Sequence, residues 1–596
     1  MTNTLMAKKK QVQLKNKQVL SNKHFFMRGG LLILLITTAI YYQSLNNDFT
    51  NWDDPPYVVN NTIIRSFHGD SISYTIKSLL TDNKYVMGNF HPITMLTYCV
   101  EYSIYGLNPK PYHVTNLFFH LLNSLLVLLF IWLLCKKRYT AVIVALLFAI
   151  HPMHVESVAW VAERKDVLYT FFSLGALSTY LLYLKANTNK TLLYVVTIIL
   201  FTLALLSKAM AASVAILFIA IDYYKNRQFN TKLWLEKLPF IGLAVVFGVI
   251  AIYAQQSLNA LEDIEAYNVF DRILFSSYGV LTYIWKAILP INLSCFYSYP
   301  FKTDGLYPMY FYVSPIVLLT LFWGVYKSLK WNKDILFGFA FFLISIALVL
   351  QILPVGGAII AERYTYIPYI GLFFIVGKLL NNIITNNKHK LAKYKQLIVG
   401  AFAVIIIAYA FGTYKRSMVW ENSISLWTDA IDKYKFTPRA FSHRAKAYYK
   451  VNNYPAAIAD YNWYIQIKND NADIYYDRGV CFLNLKQYQY AITDFDKAIQ
   501  LKPEFPKAYY NRGITYDDTG NYQKAIADYS TCIEQDPEFS DAYFNRGVIY
   551  FKMQMYEEAL NDNLTAKGLG QKLDPRIIPT IQQKLNEQKQ LSSKVN

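Results

Sequence analysis

The sequence predicts an all-α protein in two parts, a polytopic bundle of membrane helices followed by a soluble α-solenoid. Three observations predict it. Only 17% of the 596 residues are charged while 54% are hydrophobic, whereas a soluble chain of this length carries about a quarter charged residues. Apolar runs of roughly 16–22 residues, close to what a bilayer core asks for, follow one another from Gly29 to Tyr414. Beyond residue 420 the composition turns ordinary and a period of 34 residues sets in.

The first element is a basic cytoplasmic tail, residues 1–28, with Lys8 to Lys10, Lys15, Lys17, Lys23 and Arg28. The apolar run Gly30–Ile40 follows it as in a signal peptide, but Tyr41-Tyr42-Gln43-Ser44-Leu45 offers no small-residue cleavage site. A retained signal-anchor helix is expected. The multi-pass domain is expected over 29–419, with about eleven spanning helices near 29–46, 113–135, 139–151, 167–184, 191–206, 209–224, 238–256, 310–327, 334–352, 364–380 and 396–414. Lysine and arginine fall in the short loops 135–138, 185–190, 225–232, 327–333 and 378–395. Placing all of these inside, with the N-terminus, requires 271–290 to be re-entrant or interfacial. This placement of charge also accounts for much of the net +19 as topology signal rather than a nucleic-acid surface. Five cysteines with no C-x-x-C pair argue for neither a zinc site nor a disulfide framework.

The second domain is expected over 420–596. Arg444, Arg478, Arg512 and Arg546 recur every 34 residues, as do Tyr454, Tyr488, Tyr522 and Tyr556, and Ala457, Ala491, Ala525 and Ala559. Gly479, Gly513 and Gly547 fill the small position of the first helix, with Ala445 in the first copy. A 34-residue helix–turn–helix period is the signature of tetratricopeptide (TPR) repeats. Four copies run over about 437–470, 471–504, 505–538 and 539–572, with Pro575–Leu591 as a capping helix. Such arrays bind peptides or proteins, so chemistry is sought elsewhere.

On the expected topology the polar segments 46–89, 151–166, 207–208 and 351–368 share the outer face with the repeats. Asp53 and Asp54 are adjacent carboxylates just after the first helix. One raises the pKa of the other and leaves a usable base, or both are solvated loop residues. His151, His154 and Glu156 suggest a metal site, but Pro152 breaks the helical spacing between the histidines. The same segment, continuing to Arg164, puts cations where an anionic phosphate would sit. Lys208, in a tight hairpin, suits a phosphate clamp or snorkels. Arg363 offers a fork matched to phosphate or pairs with neighbouring Glu362. No Gly-rich phosphate loop, H-E-x-x-H or G-x-S-x-G is present.

Read in order, Asp53-Asp54, His91-Pro92-Ile93-Thr94, Gly106-Leu107-Asn108-Pro109, Tyr112-His113-Val114-Thr115-Asn116, His151-Pro152-Met153-His154-Val155-Glu156, Arg164-Lys165-Asp166, Ser207-Lys208 and Glu362-Arg363-Tyr364-Thr365-Tyr366 resemble the transmembrane and TPR-containing O-mannosyltransferases. That family resembles GT-C glycosyltransferases, so the resemblance implies a GT-C-like membrane domain in a bacterial inner membrane, with the repeats extracytoplasmic. It implies transfer of a hexose, mannose first, from a polyprenyl-phosphate donor to a protein or other acceptor hydroxyl. It implies Asp53, with Asp54, as the base and Lys208, Arg363 and Arg164 as holders of the donor phosphate. His91, His151, His154, Glu156 and Glu362 would line the cavity, and no metal or other cofactor is expected. Two departures touch the donor region: Ala209 stands where eukaryotic members tend to have an acidic residue, and His91 where arginine is often seen. The alternative reading is a non-catalytic scaffold whose repeats recruit proteins.

Overall fold

The computed structural model describes residues 24–66, 86, 88–256, 267–330, 332–352 and 357–595. The basic residues Lys8 to Lys23 lie outside the described residues, as do parts of the expected outer segments 46–89 and 351–368. Contacts divide the chain into two units, residues 1–434 and 435–596.

In the first unit α1 covers His24–Asn46. After it come α2 (Pro92–Tyr105), α3 (Pro109–Cys135), α4 (Arg138–Ile150), α5 (Val155–Ala159), α6 (Arg164–Tyr183), α7 (Lys190–Ser207), α8 (Val214–Tyr224) and α9 (Thr231–Gln256). They are followed by α10 (Val269–Ile288), α11 (Met309–Ser328), α12 (Lys333–Ile346), α13 (Tyr369–Thr385), α14 (Lys395–Val419) and α15 (Ser423–Lys433). Six helices among the described residues are long and apolar enough to cross a membrane, matching the expected segments at 29–46, 113–135, 191–206, 238–256, 310–327 and 396–414. The other expected spans differ for local reasons. Pro152 ends α4, and the pair Arg138–Ile150 and Pro152–Ala159 bends by 57°. The helices α8, α12 and α13 have 11, 14 and 17 residues, and α6 opens on the charged run Arg164-Lys165-Asp166.

The helices share two ends. The helix α6 packs on α3 and α7, and α13 packs between α4 and α12. At Gly371 of α13 the backbone carbonyl of Gly338 in α12 leaves no room for a Cβ, so a side chain there would force the two helices apart. The second half of α10 is tied to the chain at Ala361, to α13 and to α14. The backbone N–H of Ala361 donates to Tyr283 Oη over 3.0 Å, Tyr369 Oη donates to the Tyr283 carbonyl over 2.7 Å, and Tyr409 Oη donates to the Ile288 carbonyl over 2.8 Å. A two-stranded ribbon, β1 (Tyr297–Ser298) against β2 (Ala358–Ile360), is the one β-sheet among the described residues. It fixes the chain just before Arg363.

The division after Tyr434 places α15 in the first unit, although the composition shift sits near 420. The backbone N–H of Asn51 donates to Ser423 Oγ over 2.9 Å, and Trp427 Nε1 donates to Asn51 Oδ1 over 2.8 Å.

The second unit is four helix pairs: α16 (Pro438–Lys450) with α17 (Tyr454–Ile467), α18 (Ala472–Asn484) with α19 (Tyr488–Leu501), α20 (Pro506–Asp518) with α21 (Tyr522–Gln535), and α22 (Ser540–Lys552) with α23 (Tyr556–Gly568). The helix α24 (Ile577–Val595) packs against α23. Each periodic arginine forks onto an aspartate 16 residues later. In the third pair Arg512 Nε and Nη2 donate to the two oxygens of Asp528 over 2.8 and 2.7 Å. Arg444–Asp460, Arg478–Asp494 and Arg546–Asp562 repeat the pairing. Bidentate pairs of this kind fix angle as well as distance.

Candidate functional site

The loop after α1 is pinned before it reaches the carboxylates. The backbone N–H of Asp48 donates to the Glu421 carbonyl over 2.8 Å, and Trp52 stacks on Trp160 with ring centres 4.5 Å apart. Asp54 then turns inward. One carboxylate oxygen accepts from the Thr50 backbone N–H at 2.7 Å and from Thr50 Oγ1 at 3.0 Å, and the other from the Ala162 N–H at 2.8 Å. Burial pushes this carboxyl up to about 7, against the pull of its three donors and with a further push from Asp53. Asp54 therefore latches the loop to the 161–163 turn, and its neighbour Asp53 stays half-buried. Asp53 lies within electrostatic reach of Asp54, Tyr57 and Lys165.

Behind that loop three cations converge on one carboxylate. Glu163 lies 3.2 Å from Lys165 Nζ, 3.5 Å from Lys208 Nζ and 3.2 Å from Arg363 Nε. Burial raises the Glu163 carboxyl, but Lys165, Lys208 and Arg363 outweigh it and hold it at about 2. Lys208 also pairs with Asp166, which accepts from Ser157 Oγ at 3.0 Å. Arg363 pairs with Glu156 and donates its backbone N–H to that carboxylate over 3.0 Å. The Arg363 guanidinium lies 5.8 and 5.6 Å from the ring centres of Trp52 and Trp160. The side chains of Lys208 and Arg363 each remain 16% exposed. Paired carboxylates fix the cations in place, and an anionic group can share them without large rearrangement.

His91 directly precedes α2 and stacks on Tyr57, with ring centres 5.1 Å apart. Burial drives its imidazole down to about 3, aided by Lys165 and Lys208 against Glu163. It is neutral at physiological pH, and its Nε2 is buried without a hydrogen-bond partner. On the same helix Thr94 Oγ1 donates to the Ser207 carbonyl over 3.1 Å and so ties α2 to the Lys208 turn.

The structure thus brings Asp53, Asp54, His91, Glu156, Lys208 and Arg363 together. Four expected residues stand elsewhere. Arg164 is fully buried and consumed by Asn116, Glu101 (2.9 Å), Thr97 (3.3 Å) and the Tyr112 carbonyl (2.9 Å). It braces α2 against α3 and α6, and its side chain has no exposed surface. His151 and His154 are fully buried. They sit among Tyr369, Phe373 and Tyr409, and Phe148 and Tyr366, as aromatic core. Glu362 points the other way, accepting from Tyr297 Oη at 2.9 Å and pairing with Arg416 at 3.2 Å. A cavity of about 480 Å³ lined by Tyr278, Lys286, Tyr297 and Tyr310 lies on that side. Sequence reasoning missed Glu163, in the turn before α6, and Asp166, in its first turn, and Lys165, which was outranked by the arginine beside it.

Comparison with known proteins agrees with both parts. The tetratricopeptide repeat model matches residues 472–505 and 506–539, and a second repeat model matches 529–561. The chain is 25% identical to "Protein O-mannosyl-transferase F38B6.6" of Caenorhabditis elegans, over 66% of this chain and 56% of that one. It is 21% identical to the human "Protein O-mannosyl-transferase TMTC3", over 67% and 46%. The chain spans about half the length of the curated relatives it matches. Among solved structures, the crystal structure of MamA is 24% identical and covers 26% of this chain and 92% of its own, with a TM-score of 0.25.

Proposed function

We propose that this chain, whose curated relatives are protein O-mannosyl-transferases, is itself a membrane glycosyltransferase of GT-C type. It moves a hexose, in the first instance mannose, from a polyprenyl-phosphate donor to an acceptor hydroxyl at the extracytoplasmic face. The observation that carries the reading is the convergence of Lys165, Lys208 and Arg363 on Glu163, within electrostatic reach of the half-buried Asp53. In the reaction Asp53 takes the acceptor hydroxyl proton as the oxygen bonds to the anomeric carbon. The bond from that carbon to the phosphate oxygen breaks, and the lipid phosphate leaves with its charge held by Lys208 and Arg363. Attack opposite the leaving group inverts the anomeric centre. Asp54 positions Asp53, and the repeats present the protein acceptor.

Replacing Asp53 with Asn in membrane-inserted protein is expected to lower sugar transfer from labelled polyprenyl-phosphate mannose by about 100-fold or more, the usual worth of a general base. Unchanged transfer in a well-folded Asp53→Asn protein refutes the reading. A scaffold would instead lose function when the repeat groove is altered and ignore Asp53. The face is tested by a cysteine placed in the 327–333 loop, expected to label from the cytoplasmic side.

A further inference from the structure

The helix α6 starts at the Glu163 cluster and runs 20 residues to Tyr183. At 1.5 Å per residue that is about 30 Å, the thickness of a bilayer's hydrocarbon core. Four lysines gather at its far end. Lys136 follows the last residue of α3, Lys185 follows α6, Lys225 follows α8, and Lys378 lies in the second half of α13. Lys185 Nζ donates to the Leu133 carbonyl over 3.1 Å, and Lys225 Nζ donates to the adjacent Leu134 carbonyl. Both carbonyls belong to the last turn of α3, where a helix is negative. The ammonium of Lys136 lies 4.8 Å from the Trp132 ring centre. Lys378 pairs with Asp334 at 3.0 Å, and Asp334 also accepts from Tyr224 Oη at 2.7 Å.

That leaves the group electrostatically unbalanced. Among the described residues Asp334 is the one carboxylate paired to it, and Lys136, Lys185 and Lys225 make no ion pair. Burial together with Lys136 and Lys225 pushes the Lys185 ammonium down to about 8. Burial, opposed by the Cys135 thiol and reinforced by Lys136 and Lys378, pushes Lys225 the same way. Crowding of this kind is relieved by an anion seated among the four.

We propose that the ends of α3, α6 and α8, together with Lys378 of α13, form a binding site for the phosphate of an anionic lipid headgroup. A lipid fits better than a soluble anion because of what surrounds the lysines. Trp132, Tyr183 and Tyr224 ring this level, as aromatic side chains do at a headgroup boundary. On the same helices Leu129, Leu182 and Val376 are exposed, as is Leu379 beside Lys378, giving acyl chains an apolar surface. Basic pockets between spanning helices are known to take anionic headgroups on this physical basis. The site is independent of the proposed transferase, because it lies at the opposite end of α6 and uses none of its residues.

The test is native mass spectrometry of the delipidated full chain, offered phosphatidylglycerol and phosphatidylcholine with the same acyl chains. The wild type is expected to retain phosphatidylglycerol in preference. Changing Lys136→Gln and Lys185→Gln together is expected to cut that retention about tenfold or more, at about 1 kcal/mol per lysine. The Lys136→Arg/Lys185→Arg pair is expected to keep it, and excess inorganic phosphate is expected not to displace it. Equal retention of the two lipids overturns the proposal, and so does a Gln pair that retains phosphatidylglycerol as the wild type does. Displacement by phosphate assigns the site to a soluble anion and overturns the lipid reading. Thermal melting of each variant shows that it is folded; should the Gln pair fail to fold, Lys136→Gln alone, at an exposed position, is expected to cut retention about fivefold, and retention at the wild-type level overturns the proposal.

Discussion

At the scale of single residues, Asp53 and Asp54 adjoin in sequence and part in role. Asp54 is buried on three donors, with its carboxyl raised from 3.8 to about 7. A carboxyl raised on folding holds its proton in the native state, so folding stability falls as pH rises from about 4 to about 7. The slope is expected in the melting midpoint of the detergent-solubilised protein over that window and is expected to flatten in Asp54→Asn. Arg164 makes a different prediction. Its removal strands Glu101 in the interior, and breaking a buried pair costs about 3–5 kcal/mol. Arg164→Gln is therefore expected to lower the melting midpoint strongly, while transfer per folded molecule stays near wild type. A loss of transfer with no loss of stability would return Arg164 to the donor site.

Among the elements, helix contacts rest on a few close approaches. Gly371 touches the Gly338 backbone, so Gly371→Leu is expected to destabilise by about 1–3 kcal/mol or more through overpacking, read as a lower thermal midpoint. The long apolar helices and the repeats were legible from hydropathy and period because both signals extend over many residues. The short elements were not. The 57° bend at Pro152 was announced by the proline, but that the bend carries His151 and His154 into aromatic core depends on α13 and α14 packing there, and no local pattern states it. Likewise Arg164 and Lys165 read alike in a row of charges, and only the direction in which α6 starts separates a brace from a site residue. Glu163 was invisible for the same reason: its three partners come from positions 165, 208 and 363, brought together only by the fold.

Taken whole, the protein is two units that meet different solvents. The contact division after Tyr434 predicts that residues 435–596 expressed alone are helical by circular dichroism and melt cooperatively. A chain that shows no cooperative transition would mean the repeats depend on the membrane unit. Where the division falls was less legible than that it exists, since α15 has the composition of the repeats but is held by Asn51.

The arginine–aspartate fork of each repeat has a consequence for how such an array changes over time. Donor and acceptor, 16 residues apart, lie within one 34-residue unit at all four positions. The contact that Arg478, Arg512 and Arg546 also make backward varies from Asn462 to Asp496 to Ser530. A whole unit can thus be duplicated or lost at the level of the gene without orphaning a buried charge, because every fork travels with its own partner and the joint between units tolerates different residues. The length of the array is free to drift by whole units.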